Sequence, residues 1–383
     1  MKDCSGLPVL SKLYMMGLRT HRRISRRQAL RLGPGVQGQI LKTVAVGNVV
    51  AGGTGKTPLV ELLARECSKR GNTPMILSRG YGQDERYQYA LNCPENTIVG
   101  IGSNRVRAAE QASQKVEDSG IDLQKTFAIL DDAFQTWHVE RDEDIVCVNC
   151  INPWSNGKLI PHGKLREPLN ALTRATRIVL YNTNMVSSVE EMKIKEEIES
   201  VFEAGERIPK FCKANMVPSY FLAVEDGDER MKSVTLQEPD KIEMGALVFR
   251  KSSIEASDHL VYERNILPVS GIENPQAFHR SLVDLGGLLP SEFWDVPPQF
   301  SFPDHHYFTS KDMGEIKQVA LKGNSRVVMT QKDACRVLFG DRSFALEFFR
   351  ALDPCILVSE MQLEDYGETE GAQLWLDDLF RSC

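Results

Sequence analysis

From Thr43 onward the chain alternates short apolar runs with amphipathic stretches. TVAVGNVV, TPMILS, TFAILDD, EDIVCVN and TRIVLYN are compact apolar runs, and each predicts a buried strand. Residues 57–70, 104–118 and 188–203 lie between several of these runs and predict helices. In the first, Leu59, Leu62, Leu63 and Cys67 recur at helical spacing. Strands that alternate with helices predict an α/β fold with a mostly parallel sheet flanked by helices. Right-handed crossovers then bring the strand ends and the connecting loops to one edge of that sheet.

The rhythm breaks over residues 210–262. AVEDGDERMKSV and RKSSIEASDHLVYE are charge-rich and predict hairpins and loops, that is, a linker or partly separate β element. It resumes at NILPVSGIENPQAFHRSLVDLGG and continues through SRVVMTQKDACRVL to DPCILVS. Four parts result: a basic amphipathic segment at 1–40, a core at 41–209, the β linker at 210–262 and a smaller C-terminal α/β part at 263–383.

The turn after the first strand reads VVAGGTGKTPLVELLA. A phosphate-binding loop has the form G-x-x-x-x-G-K-[ST]. Gly55, Lys56 and Thr57 match its end, whereas Val50 occupies the place of the first glycine. Gly52 and Gly53 allow the backbone to approach phosphate closely, and Thr54 completes the loop. Pro58 falls in the first helical turn, where proline is tolerated. Strand, glycine loop and helix together predict a P-loop NTPase-like core that binds ATP through Gly52, Gly53, Thr54, Gly55, Lys56 and Thr57.

With 383 residues, the chain has room for two domains. A net charge of −6 argues against a general nucleic-acid binder, but the charge is uneven. Asp3 is the only acid before Glu61, while Lys2, Lys12, Arg19, Arg22, Arg23, Arg26, Arg27, Arg31 and Lys42 precede the loop. Leu10, Leu13, Tyr14 and Leu18 fall on one helical face beside this basic stretch. An interfacial helix with a polybasic patch, a targeting presequence and a solvated basic helix all have this composition. No run reaches the roughly 20 apolar residues that a membrane span needs. The nine cysteines are scattered, as suits reduced thiols. Cys147 and Cys150 form a lone C-x-x-C in or beside a strand, where residues three apart face opposite ways, so a zinc site is not expected there.

Several polar clusters follow the strands. Asp131 and Asp132 end AILDDAFQ, where a Walker B carboxylate would hold Mg²⁺ beside Thr57; a helix cap is the plainer alternative. SRGYGQDE offers Arg79, two glycines, Asp84 and Glu85. NGKLIPHGKLREP gathers Lys158, His162, Lys164 and Arg166 on a Gly/Pro scaffold, which suits an anionic ligand or a solvated loop. FPDHHYF places Asp304, His305 and His306 between aromatics, a pattern compatible with acid–base work. VVMTQKDA is a strand and a polar turn similar to the base-reading loops of nucleotide-binding proteins.

Taken together, VGNVVAGGTGKTP, SRGYG, DDAFQ with a following RD, NGKLIPHGKLREP, SGIENPQAF, FPDHH and MTQKDA resemble, in order, the tetraacyldisaccharide 4′-kinase family. They span roughly residues 44–335, and the form of NPWSNGKLIPHGKLREPL looks most like plant members. That family's P-loop also lacks the first glycine. The resemblance implies ATP- and Mg²⁺-dependent phosphorylation of the 4′-hydroxyl of a lipid-linked glucosamine disaccharide, with a lipid IVA-like product. It implies that Lys56 is catalytic and that Asp84 and His305 act on the sugar hydroxyl. Thr57, Asp131, Asp132 and Glu85 would hold the metal, and Arg79, Gln135 and Arg166 would meet the substrate. A membrane-bound substrate gives the basic N-terminal segment a use, and the plant-like form implies a mitochondrial address.

Two departures stand out. The family pattern D-D-G-F-Q-H has Ala133 for its glycine and Thr136 for its histidine here, and Asp84 follows SRGYG sooner than usual. They keep open a catalytically degenerate, membrane-associated nucleotide-binding protein of the same fold. A different P-loop enzyme, such as a ligase, synthetase or GTPase, is a third reading.

Overall fold

The computed structural model describes residues 9–27, 29–32, 41–80, 83–118, 120–224, 241–244, 247–253, 265–285, 300–338, 340–366 and 371–382. Two compact units are present. One holds Met1–Tyr81, Tyr89–Asn215 and Met361–Cys383; the other holds Gly82–Gln88 and Met216–Glu360.

The first unit is built on a parallel sheet. Its strands are β1 (Lys42–Gly47), β2 (Thr73–Ser78), β3 (Ile98–Ile101), β4 (Thr126–Leu130), β5 (Glu143–Asn149), β6 (Arg177–Tyr181) and the start of β7 (Lys210–Val224). Their order is β7-β6-β5-β1-β4-β2-β3, and every pairing between these neighbours is parallel. The apolar runs are buried as their composition requires: every residue of β2 and β4 is buried. Helices α2 (Lys56–Lys69), α4 (Arg105–Asp118) and α5 (Ser188–Glu199) fall where the spacing predicts them. Because the strands run the same way, the ends of β1, β4, β2 and β5 emerge together, with β1 between β4 and β5.

Strand β7 begins inside this sheet, pairing with β6 over Lys210–Ala214. Its later residues, Tyr220–Val224, pair antiparallel with β9 (Leu247–Ser253), which also pairs with β8 (Lys241–Met244). Pro218 lies between the two stretches, where the lack of an N–H donor suits a change of partner. The charge-rich segment does yield a hairpin, but its first residues belong to the main parallel ladder.

In the second unit β10 (Asn265–Val269) and β11 (Ser325–Thr330) are parallel, and β11 is parallel to β12 (Cys355–Glu364). Helices α6 (Pro275–Asp284), α7 (Ser310–Lys322), α8 (Gln331–Leu338) and α9 (Arg342–Leu352) accompany them. Phe221, Ile266, Phe278, Val328 and Leu357 form the core of this unit.

At the N-terminus α1 (Val9–Arg27) docks on the first unit. Its inner face comprises Ser11, Met15 and Ser25, flanked by half-buried Tyr14 and Leu18. Tyr14 Oη donates to Arg166 O at 2.8 Å, and Ser11 Oγ lies 3.1 Å from His162 Nδ1. Leu10 and Leu13, expected on the same face as Tyr14 and Leu18, instead point outward.

Candidate functional site

The turn from β1 into α2 has the backbone of a phosphate loop. Gly52 (φ 125°) and Gly55 (φ 81°) lie in the left-handed region, which a side chain disfavours. A Cβ on Gly55 would also approach the Tyr181 ring to 2.9 Å. The loop is braced from beneath. Asn48 Nδ2 donates to Thr54 Oγ1 at 2.8 Å, and Asn149 Nδ2 donates to Gly53 O at 3.2 Å. Thr54 therefore spends its hydroxyl on holding the loop. The first turn of α2 has no acidic residue, so its N–H groups and dipole favour an anion.

The LREP loop is strapped to this turn. Val50 bridges Leu165, Ala51 N donates to Lys164 O at 2.8 Å and Arg166 N donates to Val49 O at 2.8 Å. Buried Leu159 and Leu165 anchor it. This pairing brings Arg166 to the end of β4, where Nη1 donates to Asp132 Oδ1 at 2.7 Å. Lys56 Nζ lies 3.7 Å from the same oxygen and 3.2 Å from Gly52 O.

The two aspartates are in different states. Asp132 adopts φ 48°, which turns it toward the cations. Burial raises its pKa, but Lys56, Arg166 and Arg79 outweigh burial and hold the carboxyl below its usual range. Asp131 is fully buried, and burial together with Asp132 raises its pKa despite a 2.7 Å hydrogen bond from Tyr89 Oη. Its Oδ1 is buried without a hydrogen-bond partner. A buried, orphaned carboxylate oxygen at a P-loop strand end fits a hard cation with oxygen ligands. Among the described residues no group of three or more His, Cys, Asp or Glu side chains is placed to hold a metal. Burial pushes the thiols of Cys147 and Cys150 up to about 12, so neither presents a ready thiolate.

Arg105 is fully buried beneath the pair, a role its sequence context did not reveal. Its Nη2 donates to Asp131 O at 2.8 Å and its Nη1 to Gly102 O at 2.9 Å. Asn104 caps α4 through Val106 N and Arg107 N, which fixes Arg105 in the first turn. Burial lowers Arg105 to about 10, still charged at neutral pH. Gln135 Nε2 donates to Asn48 O and to Glu167 Oε1 at 2.9 and 3.0 Å. Glu167 is held by both terminal nitrogens of Arg174, which lies over the Phe134 ring. Asn48, Tyr89, Asn149 and Glu167 were likewise missed; the only signal for the asparagines was a polar residue at the end of an apolar run.

The two substitutions in DDAFQT fare differently. The left-handed residue is Asp132, whereas Ala133 avoids positive φ and is buried. Thr136 is 1% exposed, with Oγ1 buried and lacking a hydrogen-bond partner. Its carbonyl accepts from Arg141 Nη1 at 2.7 Å.

In the second unit the DHH turn separates its two histidines. His306 stacks on Phe302 at 4.4 Å and meets Asp312 Oδ2 through Nε2 at 3.1 Å. Asp312 and Thr309 form the capping box of α7, so His306 is structural. His305 is 62% exposed, with φ 61°, and its Nε2 lies 3.6 Å from Asp304 Oδ2. The QKDA turn is not a base-reading loop but the first turn of α8, and its Asp333 is buried. Asp84 and Glu85 fall on α3 (Gln83–Asn92); their side chains lie outside the described residues.

Residues 5–365 match the family profile described as tetraacyldisaccharide-1-P 4′-kinase. A protein of Halothermothrix orenii named tetraacyldisaccharide 4′-kinase is 29% identical, covering 86% of this chain and 82% of its own. An Arabidopsis thaliana protein named probable tetraacyldisaccharide 4′-kinase, mitochondrial, is 28% identical over 95% of this chain and 87% of its own. An Anaeromyxobacter protein named tetraacyldisaccharide 4′-kinase is 30% identical over 77% and 73%. Among solved structures, LpxK from Aquifex aeolicus in complex with ATP shares the fold, with a TM-score of 0.56, 20% identity and 97% of each chain covered.

Proposed function

The chain belongs to the tetraacyldisaccharide-1-P 4′-kinase family, and from that premise we propose that it transfers the γ-phosphoryl group of ATP to the 4′-hydroxyl of a tetraacyldisaccharide 1-phosphate, giving a lipid IVA-like product. The observation that supports this most directly is the meeting of Lys56, Arg166 and Asp132 at the mouth of the glycine loop.

Phosphoryl transfer needs clamped phosphates, neutralised charge and a positioned hydroxyl. Gly52, Gly53, Thr54 and Gly55 supply the loop that surrounds the phosphates, and Lys56 leaves Asp132 and Gly52 to reach the β/γ oxygens. Thr57, Asp131 and Asp132, with Glu85, would hold a Mg²⁺ ion, which would supply neutralisation of phosphate charge. Arg79 and Arg166 stabilise the charge that develops on the transferred group. Gln135 directs its amide nitrogen inward, and its oxygen is the end left for substrate. Asp84 and His305 act on the sugar hydroxyl; both belong to the same compact unit.

The acyl chains of such a substrate lie in a membrane, and α1 is the element suited to meet it. No described helix is long and apolar enough to cross a membrane. Val9, Leu10, Leu13, Met16 and Ile24 are each more than half exposed on the outer face of α1, with Arg23, Arg26 and Arg27 exposed beside them. An exposed apolar stripe flanked by arginines suits an anionic bilayer surface. The mitochondrial name of the Arabidopsis relative and the nearly acid-free N-terminus support a mitochondrial location. A reporter fused after residue 40 that stays cytosolic would reject that location.

The test of the activity is transfer of labelled γ-phosphate from ATP·Mg²⁺ to tetraacyldisaccharide 1-phosphate in detergent. Product that disappears in Lys56→Ala supports the kinase. ATP binding without product assigns the chain to the degenerate alternative.

A further inference from the structure

The kinase reading gives MTQKDA no task, yet the structure ties this segment tightly to the DHH turn. Asp333 and Arg336 occupy the same side of α8, three residues apart, and both are buried. Asp333 Oδ2 accepts from Gly271 N at 3.1 Å and from Thr330 Oγ1 at 2.6 Å. Asp333 Oδ1 accepts from Arg336 Nη1 at 2.9 Å, and the same nitrogen donates to Gly271 O at 2.6 Å. His305 N also donates to Gly271 O, at 3.2 Å. One backbone position, Gly271, thus links Asp333, Arg336 and His305. A Cβ there would lie 3.1 Å from His306 Cβ and 3.2 Å from Asp333 Oδ1.

The far side of the guanidinium faces the turn. Arg336 Nη2 lies 3.5 Å from His305 Nδ1 and 3.6 Å from Asp304 Oδ1, and Lys332 Nζ lies 3.3 Å from that Asp304 oxygen. We propose that Arg336 is a positioning residue that sets the orientation and tautomer of His305. A guanidinium only donates. The ring nitrogen turned toward it must therefore be the bare one, and the neutral ring carries its proton on Nε2. Burial of Arg336 against Asp333 and Gly271 fixes the donor, and φ 61° at His305 fixes the side-chain root. Nε2, on a ring that is 62% exposed and 3.6 Å from Asp304 Oδ2, is then the N–H. Lys332 and Arg336 together keep Asp304 engaged, so Asp304 orients the turn.

The role given to His305 rests on the kinase reading, but its tautomer does not. The experiment is ¹⁵N NMR of the full-length protein labelled at histidine, with the His305 signals identified by their loss in His305→Gln. The expected neutral-ring pattern is protonated Nε2 and bare Nδ1. Arg336→Met should populate the other tautomer and lower kcat by about 10²-fold, leaving KM for ATP within about twofold. Arg336→Lys, which keeps a donor, should restore the native tautomer and most of kcat. Asp333→Asn breaks the same buried pair but keeps the guanidinium, so it should keep the tautomer. A native ring protonated on Nδ1, or Arg336→Met with an unchanged tautomer, overturns the proposal. If Arg336→Met does not fold, Arg336→Leu takes its place under the same criterion. The expected tautomer in a protein without kinase activity would reject the kinase reading and leave this assignment standing.

Discussion

Arg166 reaches back across the chain to donate a 2.7 Å hydrogen bond to Asp132. The bond exists because the LREP loop pairs with the P-loop entry, and it leaves Asp132 shared between Arg166 and Lys56. In the proposed function, the same guanidinium would meet the transferred phosphoryl group.

Arg166→Ala is expected to lower kcat by about 10²–10³-fold, the usual cost of losing one preorganised donor. The side chain is only a quarter exposed against an equally buried Asp132, so a modest loss of stability should accompany the change. Steady-state kinetics with a melting curve on the same preparation checks this. A full loss of melting temperature with retained kcat would make Arg166 a structural strap.

The two aspartates predict opposite responses. Asp132, held low, contributes stability above its unfolded value of about 3.9, and this is lost as pH falls through the lower folded value. Asp131, raised by burial, is ionised at a cost to folding above its folded value. Asp131→Asn should therefore raise the melting temperature of the nucleotide-free protein at pH 7. A gain of about 1 kcal/mol corresponds to roughly 2–4 °C for a unit of this size. Phosphoryl transfer should be lost. A lower melting temperature would show that the ionised carboxylate is not under strain.

As a proposed metal ligand, Asp131 should also set an acid limit on metal use. Its protonation comes above the ordinary aspartate value of about 3.9, so apparent Mg²⁺ affinity should weaken on acidification before Asp132 titrates. Mg²⁺ titrations of activity at stepped pH, with substrate saturating, measure this. A pH-independent Mg²⁺ requirement down to that value would remove Asp131 from the metal site.

Arg105→Met removes donors from the buried carbonyl of Asp131 and the part-buried carbonyl of Gly102. Each unsatisfied group costs about 1–3 kcal/mol, so the variant should unfold earlier in urea by several kcal/mol in total. Its kcat should fall as well, since Asp131 and Asp132 share that backbone. Unchanged stability would mean that water replaces the guanidinium.

On the outer face of α1, Leu13→Glu with Met16→Glu should abolish binding to anionic vesicles. Burying one large apolar side chain contributes about 1.5–3 kcal/mol, so each change should weaken partitioning at least tenfold. Cosedimentation is the readout. Activity on a detergent-dispersed substrate should persist, because neither residue faces the site. Undiminished vesicle binding would move the membrane contact elsewhere.

The sequence by itself determined the alternation of strand and helix, the glycine loop and the paired aspartates. These depend on local period and on backbone freedom: Gly52 and Gly55 are needed wherever the fold puts them, and β2 and β4 carry central apolar runs because they are buried along their whole length. Tertiary structure decided what the same residues do to one another. Leu10 and Tyr14 share one helical face by spacing, yet packing on the LREP loop turns Tyr14 inward and leaves Leu10 exposed. His305 and His306 are neighbours of the same type, yet the left-handed turn exposes one and the aromatic stack buries the other. Arg105 and Arg336 read as ordinary helical arginines, and only their burial against Asp131 and Asp333 sets them apart. Hydrogen bonds between residues distant in the chain leave no period in the sequence, so the scaffold was legible and the restraints on its catalytic side chains were not.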